Sequence, residues 1–137
     1  MKAFIDTSSL FKKYVDEQGS SEFNKLLESI HEIIIAPTTL LEIHSVIERR
    51  LREKTLLSED AEWIEKEFLT DFNFFGVVEW NDELLEKAIR LLRKYQLRVL
   101  DSVQLSAAQL SGSNLFVTSD KQLYKAAKNE FSSVTFI

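Results

Sequence analysis

The chain has 137 residues, enough for one domain, and 45% of them are apolar, so burial can offset the entropy cost of ordering. It has no cysteine, two histidines (His31 and His44) and three dispersed glycines (Gly19, Gly76 and Gly112). Disulfides, thiolate metal sites and most zinc chemistry are excluded, as are a Rossmann Gly-x-Gly-x-x-Gly turn and a Walker phosphate loop. The net charge of −5 weighs against a protein that holds nucleic acid by bulk positive charge.

In chain order, Lys2-Ala3-Phe4-Ile5 reads as a short buried strand closed by the polar turn Asp6-Thr7-Ser8-Ser9. A helix carrying Leu10, Phe11, Tyr14 and Val15 follows, and Gly19-Ser20-Ser21 breaks it. Phe23, Leu26, Leu27 and Ile30 recur at helical spacing, and the run Ile33–Ala36 is a strand covered on both faces. Pro37 ends that strand, and a helix from about Thr39 to Lys54 turns Leu40, Ile43, Ile47 and Leu51 inward.

Ser58 is expected to cap a helix bearing Trp63, Ile64 and Phe68, and Phe74 to Trp80 to form a third strand. Asn81 caps a helix with Leu84, Ala88, Leu91, Leu92 and Tyr95 on its apolar face. Asp101 to Leu110 is helical, Leu115–Thr118 is a strand, Asp120 opens a last helix and Val134–Ile137 closes the sequence as a strand. Strands alternating with helices imply a three-layer α/β/α sandwich around a mostly parallel five-stranded sheet, one domain over residues 1–137. Apolar runs are far short of the about 20 residues that span a membrane, and no secretory core precedes Asp6, so a soluble cytoplasmic protein is expected.

In such sheets ligands sit beyond the carboxyl ends of the strands. Asp6 follows the first strand, Glu42 lies in the first helical turn after the second, Asp101 begins a helix and Asp120 follows the fourth strand. Four acids from four segments therefore fall at one rim. Two carboxylates about 4 Å apart repel by about 4 kcal/mol at an effective dielectric near 20, so the cluster needs raised pKa values or a multivalent cation. All-oxygen ligands select Mg²⁺ or Mn²⁺, the ions that serve phosphodiester hydrolysis. Three of the acids also read as caps: Thr39-Leu40-Leu41-Glu42 and Asp101-Ser102-Val103-Gln104 as capping boxes, Asp120 as a simple N-cap. Spacing alone leaves both readings open.

Taken together, Phe4-Ile5-Asp6-Thr7-Ser8-Ser9-Leu10, Thr39-Leu40-Leu41-Glu42-Ile43, Leu100-Asp101-Ser102-Val103-Gln104-Leu105-Ser106-Ala107-Ala108 and Phe116-Val117-Thr118-Ser119-Asp120-Lys121-Gln122-Leu123 resemble the PIN domain family, which includes VapC-type toxins. The resemblance implies a Mg²⁺- or Mn²⁺-dependent endoribonuclease with Asp6, Glu42, Asp101 and Asp120 as catalytic metal-site residues. It also implies supporting hydroxyls from Thr7, Ser8, Thr118 and Ser119, a homodimer, and an antitoxin partner if the chain is the toxin of a pair.

Lys12 and Lys13 are the best candidates for contacts to RNA phosphates, because the first helix starts at the rim. Arg49, Arg50 and the other basic residues read as ordinary surface, and His31 and His44 as surface or packing residues. Two other classes stay open: a small-molecule phosphate-handling enzyme, and a non-catalytic interaction module of the same fold.

Overall fold

Residues 1–137 are described by a computed structural model in which the apolar runs and amphipathic stretches form five strands and seven α-helices. The first half runs β1 (Lys2–Ile5), α1 (Thr7–Leu10) continued by a 3₁₀ turn (Phe11–Lys13), α2 (Ser20–Leu27), β2 (Glu32–Ile35), α3 (Thr39–Arg52), α4 (Ser58–Phe72) and β3 (Gly76–Val77). The second half runs α5 (Asp82–Lys94), α6 (Val99–Leu110), β4 (Leu115–Thr118), α7 (Lys121–Glu130) and β5 (Val134–Phe136).

The sheet order is β3-β2-β1-β4-β5, with every neighbouring pair parallel. Strand residues alternate between faces, and this splits the core in two. Ala3, Ile5, Ile35, Leu115 and Val117 pack with Leu10, Phe23, Ile43, Ile47, Ile64 and Phe68 from α1–α4. Phe4, Ile34 and Phe116 pack with Leu84, Leu91, Val103, Leu105 and Leu123 from α5–α7. Phe4 and Phe116 stack at 5.8 Å between centroids, bridging β1 and β4 on the second face. The chain is thus a three-layer α/β/α sandwich. It winds from β1 out to β3 over one face, then returns to β4 and β5 over the other. The reversal opens a crevice where the carboxyl ends of β1 and β4 meet.

Several boundaries differ from those the pattern suggests. The third strand is two residues long rather than Phe74–Trp80, because the Phe74 and Phe75 amides bond back to the Asp71 and Phe72 carbonyls at the end of α4 and β2 itself ends at Ile35; Phe74 is left 81% exposed. Ser58 is the first residue of α4, not its cap: Leu57 holds the N-cap position and makes no side-chain bond there. The first helix starts at Thr7, immediately after Asp6, and α6 starts at Val99, two residues before Asp101. Gly19, at φ +89°, supplies the left-handed turn into α2.

Phe116 is fully buried, so Phe116→Ala is expected to cost about 3–5 kcal/mol in urea unfolding; a loss below about 1 kcal/mol would show that the second core does not depend on this ring.

Candidate active site

Asp6 is positioned by the sheet itself. Its backbone N–H donates to the Val117 carbonyl at 2.9 Å, carrying the β1–β4 ladder one residue past Ile5. Although Asp6 stands at the N-cap of α1, its side chain caps nothing. Oδ2 instead accepts hydrogen bonds from Ser8 Oγ at 2.5 Å and Thr118 Oγ1 at 2.9 Å, across the crevice between the two strands. The residue is only 3% exposed. Burial above all, with the charges of Glu42 and Asp101 behind it, pushes its pKa up to about 7 against the two hydroxyl hydrogen bonds.

Glu42 projects from the first turn of α3, and its Oε1 accepts from Thr38 Oγ1 at 2.7 Å and Gln104 Nε2 at 3.0 Å. The capping-box reading of Thr39 and Glu42 is not what forms. Thr38 holds the N-cap position, while Thr39 is buried and its hydroxyl faces Thr7 and Gln104. Gln104 is likewise no capping residue. Fully buried on α6, it donates to Thr7 Oγ1 at 2.9 Å as well as to Glu42, joining three segments behind the acids. Its Oε1 has no partner. The pattern marked Gln104 only as the fourth residue of a cap motif, and nothing in its spacing signals that it faces Glu42.

Asp120 is a true N-cap: Oδ1 accepts from the Leu123 N–H at 2.8 Å. Its Oδ2 accepts from the Arg98 guanidinium at 2.8 Å, and Arg98 Nε also reaches Asp101 Oδ2 at 3.2 Å. Burial, then the Asp120 charge, raises the Asp101 pKa, with Arg98 pulling the other way. Asp6, Glu42 and Asp101 share one feature: one carboxylate oxygen is held by the protein and the other accepts no hydrogen bond.

The four acids line one groove of about 580 Å³, together with Thr7, Ser8, Arg49, Arg50 and Arg98. Leu41, Val99 and Leu100 form an exposed apolar rim. Of the hydroxyl residues, Thr7, Ser8 and Thr118 sit against the acids or their supports. Ser119 turns its side chain to Ser9 and contributes instead its N–H, which holds Ser8 Oγ at 3.0 Å.

Lys12 and Lys13 are not brought to this groove. Past the 3₁₀ turn, Lys12 is bonded to Glu17 and the Gln18 carbonyl, and Lys13 pairs with Asp71. The basic residues that do reach the groove are Arg49, Arg50 and Arg98, two of them from the helix whose basic end reads as plain surface. Neither histidine enters it: His44 lies 3.8 Å from Glu65, and His31 contacts the Met1 amino group.

The donor set is all oxygen and the buried Asp6 favours a neighbouring positive charge, which suits a hard divalent cation. In this conformation no three of these side chains are arranged to hold a metal ion, and Arg98 lies on two of them.

The PIN-domain family model matches residues 3–129, and the chain belongs to that family. Solved structures of similar shape include a toxin–antitoxin complex from Klebsiella pneumoniae, at TM-score 0.69 and 18% identity over 97% of this chain and 95% of that one. VapC20 of Mycobacterium tuberculosis, described as a sarcin-ricin loop cleaving toxin, matches at TM-score 0.70 and 16% identity, over 90% and 94% of the two chains. PAE2754 of Pyrobaculum aerophilum matches at TM-score 0.70 and 18% identity, over 99% and 89%. No curated protein sequence matches the chain.

The raised Asp6 pKa sets a sign for stability. The folded state holds this proton more tightly than the unfolded chain, so ionising Asp6 weakens the fold as pH rises from about 4 to about 7. In chelator, Asp6→Asn is expected to be more stable than the parent at pH 8, by on the order of 4 kcal/mol at most, and to lose that advantage near pH 4. Unfolding curves at the two pH values check this; an equal gap at both would show that Asp6 ionises normally.

Proposed function

We propose that the chain is a divalent-cation-dependent endoribonuclease that acts as the toxin of a toxin–antitoxin pair. The observation that carries this reading is the convergence of Asp6, Glu42, Asp101 and Asp120, from four separate segments, on one groove. Support comes from membership of the PIN family and from neighbours described as toxins and toxin–antitoxin complexes.

The four acids would hold Mg²⁺ or Mn²⁺. Once bound, such an ion supplies a Lewis acid for the phosphate and a water nucleophile near neutral pH. The chain does the rest. Ser8 and Thr118 fix one oxygen of Asp6, and Thr38 and Gln104 fix one oxygen of Glu42. Each acid therefore keeps its other oxygen free for the groove at no rotameric cost during the reaction. Arg49 lines the same groove without an acidic partner and is suited to a flanking RNA phosphate. Arg50 is committed to Glu17 at 2.7 Å and lies over the Phe11 ring. Cleavage leaves a 3′-hydroxyl and a 5′-phosphate. In the cytoplasm, where its RNA lies, the chain acts as a homodimer, and an antitoxin segment that occupies the groove silences it.

Cleavage of a labelled RNA in Mn²⁺ is expected to stop in EDTA, and to fall at least about 100-fold in Asp6→Asn and in Asp101→Asn. Activity that survives chelation, or that both variants retain, excludes the mechanism. Phosphate release from small esters in place of RNA cleavage would favour a small-molecule phosphatase.

A further inference from the structure

Arg98 is the one basic side chain paired with any of the four acids, and it pairs with two at once. Its guanidinium spans Asp101, on its own helix, and Asp120, at the start of α7, at 3.2 and 2.8 Å. The Arg98 side chain is 74% exposed, whereas the two acids retain only 13% and 21%. The guanidinium therefore covers them from the solvent side, where both a cation and a substrate must approach.

The stem is not locked in place. Arg98 lies at the extended N-cap of α6, and the next two residues, Val99 and Leu100, are 67% and 46% exposed. The guanidinium side of both pairs faces water, which screens them and lets Arg98 swing away while the acids stay in place. At Asp120 the cap on Leu123 takes one oxygen and Arg98 the other, and at Asp101 Arg98 takes one oxygen of two. A divalent cation on Asp120 therefore has to displace the guanidinium, and the two like charges compete for the same pair of acids. A displaced guanidinium stays in the groove, and its planar fork of donors matches a phosphate.

The geometry points to Arg98 as a residue that exchanges partners: it holds Asp101 and Asp120 in the cation-free chain, yields them to the divalent ion, and then binds the RNA phosphate brought to that ion. This rests on the nuclease reading above and adds to it a specific residue, a competition and a substrate contact.

The two halves predict opposite changes in one variant. Mn²⁺ affinity is read by calorimetry and RNA cleavage by steady-state kinetics, on the full chain, for the parent, Arg98→Gln, Arg98→Lys and Arg49→Gln. Arg98→Gln is expected to bind Mn²⁺ about 3- to 10-fold more tightly, the size of a lost exposed competitor. Its kcat at saturating Mn²⁺ is expected to fall about 10- to 100-fold, as for loss of one transition-state donor. Arg98→Lys should lie between the two in both measures.

Arg49→Gln removes the same charge from the groove without touching the acids, so its Mn²⁺ affinity should stay within about 2-fold of the parent. Equal tightening in Arg49→Gln would overturn the exchange in favour of a general field. Unchanged or weaker Mn²⁺ binding in Arg98→Gln overturns the competition, and an undiminished kcat overturns the phosphate contact. Either result can occur in a protein whose parent binds Mn²⁺ and cleaves RNA, and then the inference fails alone. A parent that neither binds Mn²⁺ nor cleaves RNA removes the nuclease reading, and this inference with it.

Discussion

A carboxylate buried between two parallel strands is the constraint around which this molecule is arranged. Asp6 extends the β1–β4 ladder through its backbone, which fixes its Cα at the end of the two central strands, and its carboxylate lies buried in the crevice between them. Two hydroxyls, from Ser8 and Thr118, repay part of the lost hydration, and the pKa near 7 shows that they do not repay all of it. The fold carries an ionisable group that is comfortable only when a proton or another positive charge is near. Such a local cost survives where the surrounding structure is strong enough to impose it. Here Phe4, Ile5, Phe116 and Val117, all fully buried, surround the site from below.

The supports of the other acids follow the same economy by different means. Glu42 is held by a threonine from the helix start and by an amide reaching across from α6. Asp120 is held by the backbone of its own helix. Capping and site-building are therefore not rival explanations. A side chain at a helix start already faces the rim, and an N-cap uses one carboxylate oxygen while leaving the second for the groove. Doubly wound topology makes this coincidence systematic, since it collects helix starts at the carboxyl edge of the sheet.

The groove of this acidic protein holds charges of both signs. Four acids line it together with Arg49, Arg50 and Arg98. Arg50 is spent on Glu17 and Phe11, Arg98 on the acids themselves, and Arg49 on neither. Identical residue types in one depression thus have different tasks, set by which acids lie within reach.

Much of the architecture was legible from local chemistry. The β-branched run at Ile33–Ile35 and the helical spacing of Leu84, Ala88 and Leu91 mark elements whose faces are buried where the pattern puts them. The short edge strand β3 was not legible, because its length depends on the turn that holds the Phe74 and Phe75 amides at the end of α4 and on where β2 ends, which are properties of its neighbours. The same division holds at the site. Hydrophobic periodicity and strand endings were enough to put Asp6, Glu42, Asp101 and Asp120 at one rim, because those signals are local and repeat with the geometry of the backbone. Whether Lys12 or Arg49 reaches the groove, whether Gln104 faces Glu42, 62 residues away, and whether Arg98 spans two acids depend on side chains brought together from distant segments. Only the packed chain decides that, because no local propensity encodes the distance between surfaces that meet after folding.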